Sequence, residues 1–528
     1  MVLVLALDGL EPSLLPGFAA EGRLPTLSRL EACGWSGRLR STHPPVSVPA
    51  WSTFLTGLGP GKHGLFDFTR LEKGRIRFQN AADRGGATLL ELADADGRRV
   101  CSLGLPTTYP VSALRHGAML SGFDSPFSGA PDKRAMTPLE TFTRLGVDLR
   151  PRVVPEGRKG IGWHRRAARA LLGSIDRRVT QAQALLREGP WDLFIVHFQA
   201  ADTAGHHFFR YFDPASPRYD ARHPDRARVL PDVYAALDTA VAKLIEASSA
   251  PPGSANTDVL VLSDHGMGPA SDRVCHLNRW LELEGLCVRR RGLDWAGRLR
   301  GAAIRWLPPR LQAVLFRKLR NGPAARLESA VRLGAIDLER SVAFSEESST
   351  LPGVWVLDPG ERERVIERLR AFDAVLRVHR REDLYRGALR DRAPDLLLEM
   401  RHPLVRTPPS YAGPPVRTLR PRELDGARGA GLNGVHRPDG VLLVSGPGFP
   451  GVGPLGRPWI GDLAPTLLTR LGVAVPDWME GRPLPPLEAE LVPPQTVPPH
   501  PPTVRGREMT HVEQAAMERR LRALGYLG

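Results

Sequence analysis

Four short apolar runs punctuate the chain: Val2–Leu7, Trp191–Phe198, Asp258–Leu262 and Gly440–Val444. None alternates with polar residues, so both faces of each would be apolar. That is the pattern of parallel strands covered on both sides. Between the runs, apolar residues recur at helical spacing. In Gly162–Arg187 they are Trp163, Ala167, Leu171, Ile175 and Val179; in Pro231–Ser248 they are Val233, Leu237, Val241 and Leu244. A further helix, Pro25–Cys33, opens on a proline, which suits a first turn. Alternation of this kind predicts an α/β sandwich around a mostly parallel sheet.

From about Trp280 to His402 the texture changes. Val288–Ala335 holds twelve basic and two acidic residues, interleaved with Trp295, Leu299, Trp306, Leu311 and Leu315. This basic amphipathic stretch precedes a short strand-like piece, Gly353–Leu357. It reads as a cap inserted over the core, as a basic solvated face, or as a membrane-surface helix. The expected organisation is a core over 1–280, an inserted basic cap over 281–410 and a core return over 411–482. A proline-rich linker over 483–510 and a terminal helix over 511–528 complete the chain.

At 528 residues, with 42% hydrophobic and 24% charged, the chain can bury a large core. The formal charge is +15, yet only six of its 72 basic residues are lysine. This arginine bias fits a negatively charged partner or substrate, and equally a coding bias toward Arg, Ala, Gly and Pro. Cys33, Cys101, Cys275 and Cys287 form no close pair, which argues against a disulfide framework or a thiolate zinc site. The first run has no basic leader and meets Asp8 after seven residues. No run of about 18 apolar residues follows. The expectation is a cytoplasmic enzyme without a transmembrane segment.

Three of the apolar runs lead into metal-binding residue types: Asp8, then Asp202 and His206, then Asp264 and His265. Ligands of open parallel sheets collect beyond the carboxyl ends of the strands. Each group alone reads as a turn, a solvated loop or a cap; together they point to metal. Oxygen and imidazole ligands without thiolates suit zinc, with manganese or iron as alternatives. Ser47 stands where a helix should begin, with Pro49 in its first turn. It reads either as a plain N-cap or as a nucleophile at the helix's positive end.

These residues resemble the type I phosphodiesterase/nucleotide pyrophosphatase family of the alkaline phosphatase superfamily, over most of residues 1–482. The resemblance rests on Asp8-Gly9, the segment Pro44–Phe68, Asp202-Thr-Ala-Gly-His206 and Ser263-Asp264-His265-Gly266-Met267. It continues through Asn433-Gly-Val-His436, Gly461–Thr466 and Met479–Leu484. It implies an alkaline phosphatase-like three-layer sandwich and two divalent cations. Asp202, His206 and His436 would hold one; Asp8, Asp264, His265 and Ser47 would hold the other. His436, a lone loop histidine by spacing, enters only on this similarity. His207 reads as a neighbour of the site or a packed residue, and His63 as a loop anchor.

In such a site Ser47 would attack phosphorus, and water would then hydrolyse the covalent phosphoryl-enzyme. The family commonly carries Asn three residues after its nucleophile, where this chain has Ala50, so nucleotide preference stays open. The substrate expected is a small phosphate ester or nucleotide-like molecule, with no specific nucleic acid. Three alternatives remain. One is a phosphomonoesterase or phosphonate hydrolase on the same metals. A sulfatase is opposed by Trp51, where that relative needs arginine. A non-catalytic anion-binding protein would have no use for the intact ligand set.

Overall fold

The structure, a computed structural model, describes residues 1–72, 74–126, 132–147, 162–249, 257–290, 333, 336–348, 350–405, 407, 411–424, 431–485, 513, 514 and 517. Most of the basic stretch, the proline-rich segment beyond residue 485 and most of the expected terminal helix lie outside the described residues.

Nine strands form the central sheet. Their order is Gly453–Gly456, Trp35–Arg40, Asp439–Ser445, Asp258–Leu262, Val2–Leu7, Leu193–Phe198, Val100–Leu105, Ala118–Ser121 and Met136–Thr137. Val2–Leu7 sits between Asp258–Leu262 and Leu193–Phe198, parallel to both. Alternation within Val2–Leu7 explains why every residue is apolar. Leu3, Leu5 and Leu7 pack into one core with helices Trp163–Leu186, Ala200–Phe212 and Val229–Ser248. Val2, Val4 and Ala6 pack into another with helices Ser47–Thr56, Leu89–Ala95 and Leu463–Arg470. Fully burying each large side chain contributes about 1.5–3 kcal/mol, so the pattern commits both faces of the strand to helix layers. The result is the expected three-layer α/β sandwich.

One expectation fails. Asp439–Ser445 covers the apolar run Gly440–Val444 but runs antiparallel to both of its neighbours. A strand buried on both faces carries the same apolar pattern in either direction, so composition could not set its sense.

A second, four-stranded antiparallel sheet is built from Ala343–Phe344, Gly353–Val356, Leu396–Met400 and Val375–Arg380. Helix Arg362–Ala371 covers it through Val365, Ile366 and Leu369. This sheet is tied to the loops around helix Ser47–Thr56. Ser348 Oγ and Thr350 Oγ1 donate to the Asp67 carboxylate at 2.5 and 2.8 Å, and the Tyr385 hydroxyl donates to the His43 carbonyl at 2.8 Å. Among the described residues, no helix is long and apolar enough to cross a membrane.

Candidate active site

Adjacent parallel strands deliver the carboxylates to one place. Asp8 follows Val2–Leu7, and Asp264 and His265 follow Asp258–Leu262. After Leu193–Phe198 the chain enters helix Ala200–Phe212, which carries Asp202 and His206 one turn apart on the same face. The backbone is tight here. Asp202 N–H donates to the Asp8 carbonyl at 3.0 Å. Gly9 has φ +70°, and a Cβ there would lie 2.6 Å from Asp202 Cα, so only glycine lets the loops meet.

His436 is not in a loop, contrary to the reading from spacing. It lies on strand Gly434–Arg437, which pairs antiparallel with Gly266–Pro269 and sets His436 opposite Met267. The pairing stacks the His436 ring on His265 with centroids 3.7 Å apart. Asn433 secures the approach: its N–H donates to the His206 carbonyl at 2.6 Å and its Nδ2 to the His207 carbonyl at 3.1 Å. Gly434 permits it, because a Cβ there would sit 2.5 Å from the Gly205 carbonyl.

Two trios result, Asp202–His206–His436 and Asp8–Asp264–His265. In the first, the two Nε2 atoms lie 3.0 Å apart and each is 3.3 Å from Asp202 Oδ1. In the second, His265 Nε2 is 3.6 Å from Asp8 Oδ1 and 3.4 Å from Asp264 Oδ2. Ser47 Oγ lies 3.3 Å from His265 Nε2 and is fully buried, as are the three aspartates. The structure thus brings all seven sequence-derived candidates together.

The imidazole tautomers show what this arrangement suits. Nδ1 of His206, His436 and His265 faces the carbonyls of Gly434, Pro45 and Gly266 at 2.9, 2.9 and 3.0 Å. A carbonyl only accepts, so each Nδ1 carries the proton and each Nε2 turns its lone pair inward. Lone pairs and carboxylate oxygens therefore face one another, with Asp8 Oδ1 and Asp264 Oδ2 lacking any hydrogen-bond partner. Such a donor set is repulsive by itself and fits divalent cations, with the carbonyl anchors fixing ligand orientation.

The charges agree. Burial, reinforced by the negative charges of Asp8 and Asp202, pushes the Asp264 carboxyl well above the usual range. Burial also acts upward on Asp202, but His206 and His436 outweigh it and hold that carboxyl well below its ordinary value. His265 is lowered to about 4, by burial and then by His436. For His206, burial pulls down, yet Asp202 prevails and raises it. The second trio is thus the one with least internal compensation.

Ser47 begins helix Ser47–Thr56, but Val46 is the N-cap and no side chain caps the turn. The plain capping role therefore falls away, leaving the hydroxyl aimed into the site. Ala50 is fully buried in the apolar core with Trp51 and Phe54. His63 anchors its loop: Nε2 donates to Thr53 Oγ1 at 3.0 Å and Nδ1 accepts from Leu65 N–H at 3.2 Å. His207 packs edge-on against Trp163.

Sequence reasoning gave Trp51 no part in the site and passed over His197. The Trp51 indole donates to Asp8 Oδ2 at 3.1 Å, and His197 Nε2 lies 2.9 Å from the same oxygen. A histidine inside the otherwise apolar run LFIVHF was the available signal. Glu11 was missed too; its Oε2 accepts from Met267 N–H at 2.8 Å and braces the strand opposite His436.

Fold and site together define an alkaline phosphatase-like α/β protein whose strand ends gather two trios of candidate ligands, buried but for the half-buried His436, beside a helix-borne serine. A family described as type I phosphodiesterase / nucleotide pyrophosphatase matches residues 2–407, and the chain belongs to it. It is accordingly a phosphoric ester hydrolase.

Similar solved structures share the fold. Phosphonoacetate hydrolase from Sinorhizobium meliloti 1021, in complex with phosphonoformate, aligns with TM-score 0.52 and 17% identity. The alignment covers 89% of this chain and 95% of that one. An inactive murine ectonucleotide pyrophosphatase / phosphodiesterase 5, in complex with AMP, aligns with TM-score 0.51 and 14% identity, covering 90% and 95%. No curated protein matches the chain by sequence.

Proposed function

We propose that this protein is a metal-dependent phosphodiesterase of the nucleotide pyrophosphatase type, acting through Ser47 and a covalent phosphoryl-enzyme. Asp202, His206 and His436 would hold one divalent cation; Asp8, Asp264 and His265 would hold the other, with Ser47 as a further ligand. Zinc suits these ligands, with manganese or iron as alternatives. Bound cations supply Lewis acidity to phosphoryl oxygens and lower the pKa of a neighbouring hydroxyl.

The chain's own groups account for the rest. Ser47 Oγ gives up its proton to solvent and forms a bond to phosphorus as the bond to the ester oxygen breaks in line; that oxygen leaves with the electron pair and is protonated by water. Water then bonds to phosphorus and the Ser47 oxygen–phosphorus bond breaks, one water proton restoring the Ser47 hydroxyl and the other passing to solvent. The first-turn N–H groups of Ser47 and Val48 lie at the helix's positive end, before the first intrahelical bond made by Ala50. They favour a phosphoryl anion there. Trp51 and His197 hold Asp8, and Leu351, Pro352, Leu397, Leu398 and Leu404 wall the space beside the site.

The observation that carries this reading is the inward convergence of three Nε2 lone pairs on buried carboxylates beside Ser47. Its test is hydrolysis of matched chromogenic phosphate mono- and diesters by metal-loaded protein. Ser47→Ala should remove at least about 3 kcal/mol of transition-state stabilisation, a hundredfold or more in kcat. Undiminished turnover would sink the covalent mechanism. Monoester turnover far above diester turnover would favour a phosphomonoesterase.

A further inference from the structure

Beside His206 and His436, and reaching Val46 next to Ser47, the protein forms a half-open pocket of about 230 Å³. Its wall comes largely from the second sheet and the segment after it, through Leu351, Pro352, Leu398, Met400 and Leu404, with Val435 opposite. Among the described lining residues none is Phe, Tyr or Trp; His43 is the one aromatic ring outside the candidate ligand trio, and the rest of the wall is mainly Leu, Val, Met and Pro.

The polar groups on the wall are already engaged within the protein. Arg218 Nε and Nη1 donate to the carbonyls of Ser271 and Leu432. Glu399 pairs with His379 at 2.7 Å, Thr350 donates to Asp67, and the Ser271 hydroxyl meets His402 Nδ1 at 2.9 Å. Most of what remains for a ligand is aliphatic surface continuous with the phosphoryl site, with the His43 ring at one side.

We propose that this cavity receives a flexible aliphatic substituent of the phosphate ester, and that the preferred substrates are alkyl phosphodiesters rather than nucleotides. The inference rests on the phosphoester reading above and extends it to substrate class. Each methylene moved from water into such a lining raises affinity by about fourfold, until the space is filled. Chain length is therefore the variable to test.

The experiment compares methyl, butyl and hexyl p-nitrophenyl phosphates with thymidine 5′-(p-nitrophenyl) phosphate on the metal-loaded full chain. The leaving group is the same throughout. The expected result is a kcat/KM at least tenfold higher for hexyl than for methyl, and higher for hexyl than for the nucleotide. Leu404→Trp, which fills the cavity, should abolish the hexyl advantage and spare the methyl ester. Leu404→Ala should move the optimum to longer chains. A flat length dependence, or a preference for the nucleotide, overturns the proposal.

Calorimetric binding of hexylphosphonate against methylphosphonate separates the two readings. If no diester is hydrolysed but hexylphosphonate still binds at least tenfold tighter, the activity reading has failed and the aliphatic cavity stands. If both phosphonates bind alike, the cavity assignment is wrong whatever the activity.

Discussion

Replacing Asp264 by asparagine should act in opposite directions with and without metal, and the structure sets the sign of each. Asp264 is fully buried, its Oδ2 has no hydrogen-bond partner, and burial and the charges of Asp8 and Asp202 raise its pKa. In metal-free protein the folded chain therefore retains a proton that the unfolded chain has released. Stability falls as pH rises through the ordinary aspartate range toward the folded pKa. An asparagine does not titrate. Its Oδ1 keeps the contact from Gly9 N–H at 3.4 Å, and its Nδ2 would face the His265 Nε2 lone pair, 3.4 Å from the present Oδ2.

Removing the cost of holding that buried carboxyl protonated above the ordinary aspartate range returns about 1–3 kcal/mol. With m near 3 kcal/mol/M, the urea midpoint in EDTA at pH 8 should rise by about 0.5 M. With zinc at a hundredfold excess over Kd, the parent gains about 2.7 kcal/mol that the variant largely forgoes, so the order reverses. Urea titrations of both proteins, with EDTA and with zinc, read both effects. A variant less stable than the parent in EDTA, with the same deficit in zinc, would refute the idea that Asp264 is a buried carboxyl set against Asp8 and Asp202 to bind a cation.

Gly9→Ala should cost about 2–4 kcal/mol, from its left-handed backbone and a Cβ 2.6 Å from Asp202 Cα; a parent-like urea midpoint would contradict this. Glu347, partly buried with its pKa raised to about 7 chiefly by burial, weakens the fold as pH rises from about 4.5 to 7. Glu347→Gln should remove that slope and leave the protein about 1–2 kcal/mol more stable at pH 8. Midpoints at pH 4.5 and pH 8 check it, and an unchanged pH dependence would count against the assignment.

The sheet was legible where a strand is apolar on both faces, as in Val2–Leu7 and Asp258–Leu262. Helix Trp163–Leu186 was legible from its four-residue apolar spacing. The candidate ligands Asp8, Asp202, His206, Asp264 and His265 could be picked out because each follows such a run, and strand ends converge by topology. His436 could not be reached this way. Its place depends on pairing between Gly434–Arg437 and Gly266–Pro269, a long-range contact with no local signature. His197 and Trp51 were hidden because their rings look like core residues until Asp8 Oδ2 is seen between them. Of the second sheet only Gly353–Leu357 was legible, found as strand Gly353–Val356; its other strands escaped because they are short, two to six residues, and only partly apolar in pattern.

Anomalous diffraction from crystals of the zinc-loaded full-length protein tests the paired-cation arrangement most directly. Two strong peaks are expected, one among Asp202 Oδ1, His206 Nε2 and His436 Nε2, the other among Asp8 Oδ1, Asp264 Oδ2 and His265 Nε2 next to Ser47 Oγ. Zinc found elsewhere on the surface, with neither trio within about 2.0–2.2 Å of an ion, would contradict the account.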